Sequence, residues 1–368
     1  MANIIDYLSW RGDLSLSNDP INEIDGAILA RLAYMRYEKI NIKKNESLYS
    51  ALKTILSLPN IENIQLIEGD SSLMKTIIRT KRFSSFVIID YINEIDEKTQ
   101  TQFSAITLLE KESKTLFVLF RGTDNTLIGW KEDFNMAFST PLIGQIKAVD
   151  YLTKMSSTIE NNSIIVSGHS KGGNLAVFAS SFVDKKVQDK IEVVFNFDGP
   201  GFDERTIKEK GYEAICSKIK TFVPQSSVVG MLLEHEEKYT VVHSENISIM
   251  QHDIYSWSLL ANHFIHLDTV DNSSRFIDYT LKTWLKSMDE DEREKLIDGV
   301  YSVMVESNAK TLKELKENWL KSSKGIIKAT INLDSETKKA VSSALSSLLK
   351  SSKFALTTMV DKRELLGN

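Results

Sequence analysis

Apolar positions at helical spacing mark the first eighty residues. "NEIDGAILARLAYMRYEKI" carries Ile24, Ile28, Leu32 and Met35 three or four apart, and "LYSALKTILSL" repeats the pattern, so both predict amphipathic helices. From Ser84 to about His243 the period changes to short β-rich runs broken by turns. "SSFVIIDYI", "FSAITLLE" and "TLFVLF" follow one another closely enough for an antiparallel meander. "SIIVSG", "IEVVFNF" and "IKTFV" instead alternate with helical stretches ("GQIKAVDYLTKMSSTIE", "NLAVFASSFV", "DERTIKEKG"), which is the order of parallel βαβ units. After about Asp271 the strands stop, and the tail reads as helices with capping boxes at Ser287…Glu290 and Thr311…Glu314. The expected class is α/β, in three parts. A helical N-terminal segment, 1–80, packs on a core, 81–270, with a central, mostly parallel sheet; a helical extension, 271–368, follows.

Composition sets limits on this picture. With 368 residues, 42% hydrophobic and 26% charged, the chain is an ordinary globular one, and a net charge of -5 gives no sign of nucleic-acid binding. No apolar run is long enough to span a bilayer, and "MANIIDYLSW" is too short and too polar for a signal peptide. The one cysteine, Cys216, rules out an internal disulfide and reads as a structural thiol; with no export signal, the expected address is the cytoplasm. In the tail, Val341, Leu345, Leu348, Ala355, Leu356 and Met359 fall on one helix face. That stripe either docks on the body or, with Lys338, Lys339, Lys350 and Lys353 on its polar side, contacts a membrane surface or a protein partner.

One stretch carries chemistry. In "NNSIIVSGHSKGGNLAVFAS" a strand-like run meets Gly168-His169-Ser170-Lys171-Gly172, and a helical pattern begins at once. Gly-x-Ser-x-Gly between strand and helix is a nucleophile elbow: the small neighbours permit a sharp turn that holds the serine hydroxyl above the sheet. The N–H of Lys171 then faces a developing oxyanion beside a helix N-terminus. Neither phosphate-binding glycine spacing is present. A serine needs a base and a group that orients it. Asp198 ends "IEVVFNFD", before Gly199-Pro200-Gly201, and is either that orienting acid or the start of a turn. Five histidines follow the serine. His263 and His266 suit a helix face or core, and His235 a solvated charged stretch. His252, in the loop "IMQHDIYSW", is the leading base, with its ring expected within hydrogen-bond reach of Ser170; His243, at the end of "KYTVVH", is the alternative. Upstream, "TLFVLFRGTDNTLIGWKEDF" supplies Thr123 as a second oxyanion donor, with Arg121 and Asp133 read as an ion pair holding the loop.

These segments, in this order, resemble the fungal-type class 3 lipase module, and more closely the bacterial Mbeg-like family of lipase-like α/β hydrolases. "YLSWRGDLSLSNDPINEIDGAILARLAY", "VPQSSVVGMLL" and "QHDIYSW" carry the closer likeness, which spans roughly Met1 to Asp268. The resemblance implies an α/β-hydrolase fold and a serine hydrolase of lipase or esterase type, acting on a small-molecule or lipid ester without a metal or cofactor. It makes Ser170 the nucleophile, Thr123 the oxyanion residue and His252, in His252-x-x-Tyr255, the base; Trp130 and Asp133 match its Trp-x-x-Asp stretch. Two departures stand out. Lys171 replaces a leucine, which places a charge beside the oxyanion and favours an anionic or polar substrate. The acid position of the module aligns with Ser226 or Ser227, so the acid has moved to Asp198 or the site is a dyad or a binding-only module.

Overall fold

The computed structural model describes residues 1–96, 98–99, 101–124, 127–136, 140–159, 163–289, 292, 295–299, 301, 343 and 346–347. The apolar stripe from Val341 to Met359, its four lysines and the Thr311…Glu314 box lie outside these residues. Met1–Asp96, Gln102–Gly122 and Ile143–Val270 make one compact unit; Glu97–Thr101, Thr123–Leu142 and the residues from Asp271 on make a second.

The first unit opens with five helices: α1 (Ile4–Arg11), α2 (Glu23–Leu32), α3 (Leu48–Leu56), α4 (Ile61–Ile64) and α5 (Gly69–Ile77). Asn3 with Asp6 and Asn22 with Asp25 form capping boxes that start α1 and α2 by satisfying otherwise orphaned N–H groups. The helix expected through Met35 stops at Leu32, and Met35 is buried beyond its end. Strands β1 (Phe86–Asp96), β2 (Thr101–Glu110) and β3 (Thr115–Phe120) follow.

Helix α6 (Leu127–Met136) lies in the second unit. The alternating part then runs α7 (Ile143–Ser156), β4 (Ile164–His169), α8 (Lys171–Phe182), α9 (Lys185–Lys190), β5 (Ile191–Phe197), α10 (Lys210–Ile215), β6 (Ile219–Pro224) and β7 (Tyr239–Val242). Three two-residue strands, β8 (Leu259–Leu260), β9 (His263–Phe264) and β10 (His266–Leu267), close the unit.

One sheet has the order β1-β2-β3-β4-β5-β6-β7-β10. β2 and β3 pair antiparallel, β3 through β7 are parallel throughout, and β10 is antiparallel at the far edge. Side chains alternate across a strand, and the burial follows. Phe117, Leu119, Ile165, Phe195, Phe197, Phe222 and Val242 share one core with the N-terminal helices. The opposite parity is also buried, and there Phe120 meets Tyr151 of α7 edge-on, centroids 6.2 Å apart. A mostly parallel sheet sandwiched between helices, with a Gly-x-Ser-x-Gly elbow at the end of β4, is the α/β-hydrolase architecture. In open sheets of this kind ligands bind beyond the carboxyl ends of the strands.

In the second unit α11 (Asn272–Lys286) ends at Ser287, whose hydroxyl donates to the Trp284 carbonyl at 2.7 Å. The reciprocal capping contacts fall two residues later than expected: Glu292 N–H donates to Asp289, and Asp289 N–H to the Glu292 carboxylate. Ser287 has already committed its hydroxyl to the preceding helix, which leaves Asp289 as the cap. Among the described residues no helix is long and apolar enough to cross a membrane.

Candidate active site

β4 delivers Ser170 into a backbone conformation that few side chains adopt, φ 59° and ψ -134°. Such a residue stores about 1–3 kcal/mol of strain, which the surroundings must hold in place. They do so here through backbone contacts. Ser170 N–H donates to the Phe197 carbonyl at 2.9 Å, and the Ser170 carbonyl accepts from Gly173 N–H at 2.8 Å. The two glycines of the motif permit close approach: a Cβ on Gly168 would lie 2.0 Å from the Gly172 carbonyl, and one on Gly172 would lie 2.2 Å from that of Phe120. Lys171 follows as the first residue of α8.

The residues expected as acid and base meet. Asp198 sits just past β5, also at positive φ (49°), and is buried to 1% exposure. Its N–H donates to the Phe222 carbonyl of β6 at 2.8 Å. Its Oδ2 lies 2.6 Å from His252 Nδ1, and its Oδ1 accepts from Ser227 Oγ at 2.5 Å and from Gly230 N–H at 3.1 Å. A carboxylate with both oxygens engaged in this way has one orientation. His252 ends a short 3₁₀ turn, Ser248–His252, and its side chain is 25% exposed. No hydrogen bond joins its ring to the Ser170 hydroxyl among the described residues. Contacts of this kind often tighten only once substrate is bound.

His169, the neighbour of the serine, fixes the other side of His252. Its Nε2 donates to the His252 carbonyl at 2.8 Å, and the two rings lie 4.6 Å apart. Burial, then the nearby His252 and Arg31, push its pKa well below the usual imidazole range, so it is neutral and a one-way donor here. Tyr34, just beyond α2, donates its hydroxyl to the His169 carbonyl at 3.0 Å. Arg31 stacks on Tyr34, 4.1 Å from the ring centre, and forms a buried pair with Asp70 at 2.6 Å. Tyr255 completes the group by donating to Asp70 at 2.8 Å. Burial first, then the Asp70 charge, raises its pKa well above the usual phenol range, so it stays a donor. The N-terminal helices therefore grip both the elbow and the His252-x-x-Tyr255 loop. Asp70→Asn is expected to cost about 3–5 kcal/mol of unfolding free energy, because it strands a buried guanidinium. Urea unfolding measures this, and a loss under ~1 kcal/mol, the scale of an exposed pair, would contradict it.

The other expected residues fall elsewhere. His243 bonds Ser258 Oγ at 3.0 Å, and none of its hydrogen bonds reaches Ser170, Asp198 or His252. His263 and His266 lie exposed on β9 and β10 rather than on a helix or in the core, and His266 pairs with Glu23 at 2.9 Å. His235 is not solvated: its side chain is 7% exposed and both ring nitrogens are bonded. The turn residues around it hide it, which a run of charged neighbours in sequence does not reveal.

The Lys171 side chain also departs from expectation. It is buried and donates to the Gln102 main-chain carbonyl at 2.9 Å, so its charge is taken up against β2 instead of facing a substrate. Arg121 is buried and donates to Asn93 at 3.0 Å, while the side chains of Trp130 and Asp133 are outside the described set. Thr123 is partly exposed and begins the segment grouped with the second unit. Cys216 is half-buried; burial and then Glu237 and Glu236 raise its pKa, which suits a structural thiol.

Comparison with known proteins adds a family and three distant structures. The Mbeg1-like family model matches residues 77–302. No curated protein matches the chain. Lip2 lipase from Yarrowia lipolytica is 13% identical over 66% of this chain and 82% of its own, with a TM-score of 0.37. The lipase from Rhizopus microsporus var. chinensis is 13% identical over 68% and 89%, TM-score 0.39. A triacylglycerol lipase from Penicillium expansum is 13% identical over 68% and 95%, TM-score 0.37.

Proposed function

The chain belongs to the Mbeg1-like family, and we propose that it hydrolyses a carboxylic ester through an acyl-enzyme on Ser170. The observation that carries this reading is the 2.6 Å bond between Asp198 and His252, whose ring lies 4.6 Å from that of His169, the residue before a serine in a strained strand-to-helix turn. Ser170 Oγ attacks the ester carbonyl while His252 Nε2 takes its proton, and Asp198 holds the Nδ1–H and stabilises the imidazolium. The N–H of Lys171 is assigned to the oxyanion. Collapse breaks the bond to the alcohol, which leaves with the proton from His252. Water, deprotonated by the same nitrogen, then attacks the acyl group and releases the acid and the free serine.

The class 3 lipase resemblance favours an acyl ester of lipid character. Ile247 and Met250, 79% and 62% exposed on the approach to His252, offer apolar surface of the kind an acyl chain needs. A binding-only module was the alternative while the acid position held a serine. That ground weakens, because Ser227 donates to the displaced acid.

A fluorophosphonate probe tests the proposal. It is expected to label one serine, in the peptide containing Ser170; His252→Ala loses the label and His243→Ala keeps it. A folded wild type that stays unlabelled, or equal losses at the two histidines, overturns the assignment.

A further inference from the structure

Behind Asp198 lies a second imidazole–carboxylate pair that the proposed reaction does not use. His235 Nδ1 meets Glu237 Oε1 at 3.0 Å, with side chains only 7% and 2% exposed. His235 Nε2 meets the Gly230 carbonyl at 2.8 Å. Each ring nitrogen thus faces an oxygen, a carboxylate on one side and a main-chain carbonyl on the other. Glu237 also accepts from the hydroxyls of Tyr212 and Thr221, each at 2.6 Å. Burial works to raise its carboxyl, but His235 and these hydroxyls outweigh it and hold it down at about 2.

The link to the site runs through one residue, Gly230. The residue whose carbonyl receives His235 is the one whose N–H reaches Asp198 Oδ1, at 3.1 Å. Gly230 N–H also meets Ser227 Oγ at 3.1 Å, so the turn presents two donors to one carboxylate oxygen. The fit is close: a Cβ on Gly230 would lie 2.3 Å from Asp198 Oδ1. The His235 backbone is held separately, since its neighbour Glu234 exchanges two 2.9 Å bonds with Phe202. The imidazole is thus not what keeps the segment in place.

We propose that His235 is a positioning residue for Asp198. It anchors the Gly230 carbonyl, which sets the turn so that Ser227 and Gly230 engage Oδ1 and leave Oδ2 for His252. The kinetic part of this inference rests on the proposed ester hydrolysis; the geometric part does not.

Two substitutions separate this role from that of a core ion pair. In His235→Gln the amide reaches the Nε2 position and can donate to Gly230; in His235→Asn it reaches only the Nδ1 position, towards Glu237. Both remove the imidazole. The readouts are the rate of fluorophosphonate reaction at Ser170 and the proton resonance of His252 Nδ1–H in its bond to Asp198. The Asn variant is expected to react about tenfold more slowly, as a small misplacement of catalytic groups commonly costs that or more, and its resonance moves upfield. The Gln variant keeps both near wild type. Glu237→Gln gives a comparison that does not require the Asn variant to fold: it removes the ion pair, leaves the Gly230 contact, and is expected to keep the resonance. Equal rates and resonances in the Gln and Asn variants, or loss of the resonance in folded His235→Gln and Glu237→Gln, overturns the proposal. If the wild type shows the resonance but no labelling, ester hydrolysis fails while the resonance comparison still decides the role of His235.

Discussion

Ser170→Ala is expected to reduce ester turnover by about six orders of magnitude, to what binding and oxyanion donors supply without a nucleophile. An alkyl hydroxyl is a poor nucleophile and reacts only where a base removes its proton as it attacks. Ser170 alone stands on the strained turn after β4, next to the residue whose ring contacts His252. Its hydroxyl makes no hydrogen bond among the described residues, so removing it breaks none. Alanine meets the same positive φ that serine already tolerates. Stability should therefore stay within ~0.5 kcal/mol of wild type, as for substitutions that disturb no packing or bonding. A chromogenic short-chain ester measures the rate, and urea unfolding confirms that the variant is folded. Turnover within tenfold of wild type in a folded variant would mean that the elbow is only a turn.

The elbow was legible in the sequence because its chemistry and its geometry come from the same few residues. Gly168, Ser170 and Gly172 lie between a β-branched run and a helical one, and the backbone takes the form that this order demands. The parallel sheet was legible for a similar reason: β4 and β5 are apolar on both faces and alternate with helices. The partners from outside the motif were not. Tyr34, Arg31 and Asp70 read as ordinary members of amphipathic helices, and only the packing of those helices against β4 and the His252 loop brings them together. Ser167, whose hydroxyl reaches the Gly26 carbonyl of α2 at 2.9 Å, is a further such tie. His235 was misread because local composition reports the character of a segment and not what folds over it. Lys171 was misread because a long side chain starting beside a site need not end there: its ammonium lies at Gln102.

The proposed acid was the hardest position to read, and it carries the second large effect. Asp198→Asn is expected to lower turnover by about four orders of magnitude while serine and histidine remain, on the scale of the protease triad in which the same change was made. The local donors explain why an amide cannot substitute. Ser227 Oγ and Gly230 N–H both point at Oδ1, so the amide of an asparagine must put its oxygen there and its NH2 at the Oδ2 position. That NH2 would donate to His252 Nδ1, where the carboxylate now accepts. The imidazole would then carry its hydrogen on Nε2, the nitrogen that has to receive the Ser170 proton, and the base would be blocked. Shape and volume hardly change, so the variant should fold. Its loss should appear in kcat more than in KM, since substrate binding does not involve this carboxylate. Steady-state hydrolysis of the same short-chain ester measures the effect, and nitrogen-15 shifts of the His252 ring report the tautomer. A rate within tenfold of wild type, with Nδ1 still protonated, would reduce Asp198 to the residue that begins the Gly199-Pro200-Gly201 turn and leave a serine–histidine dyad.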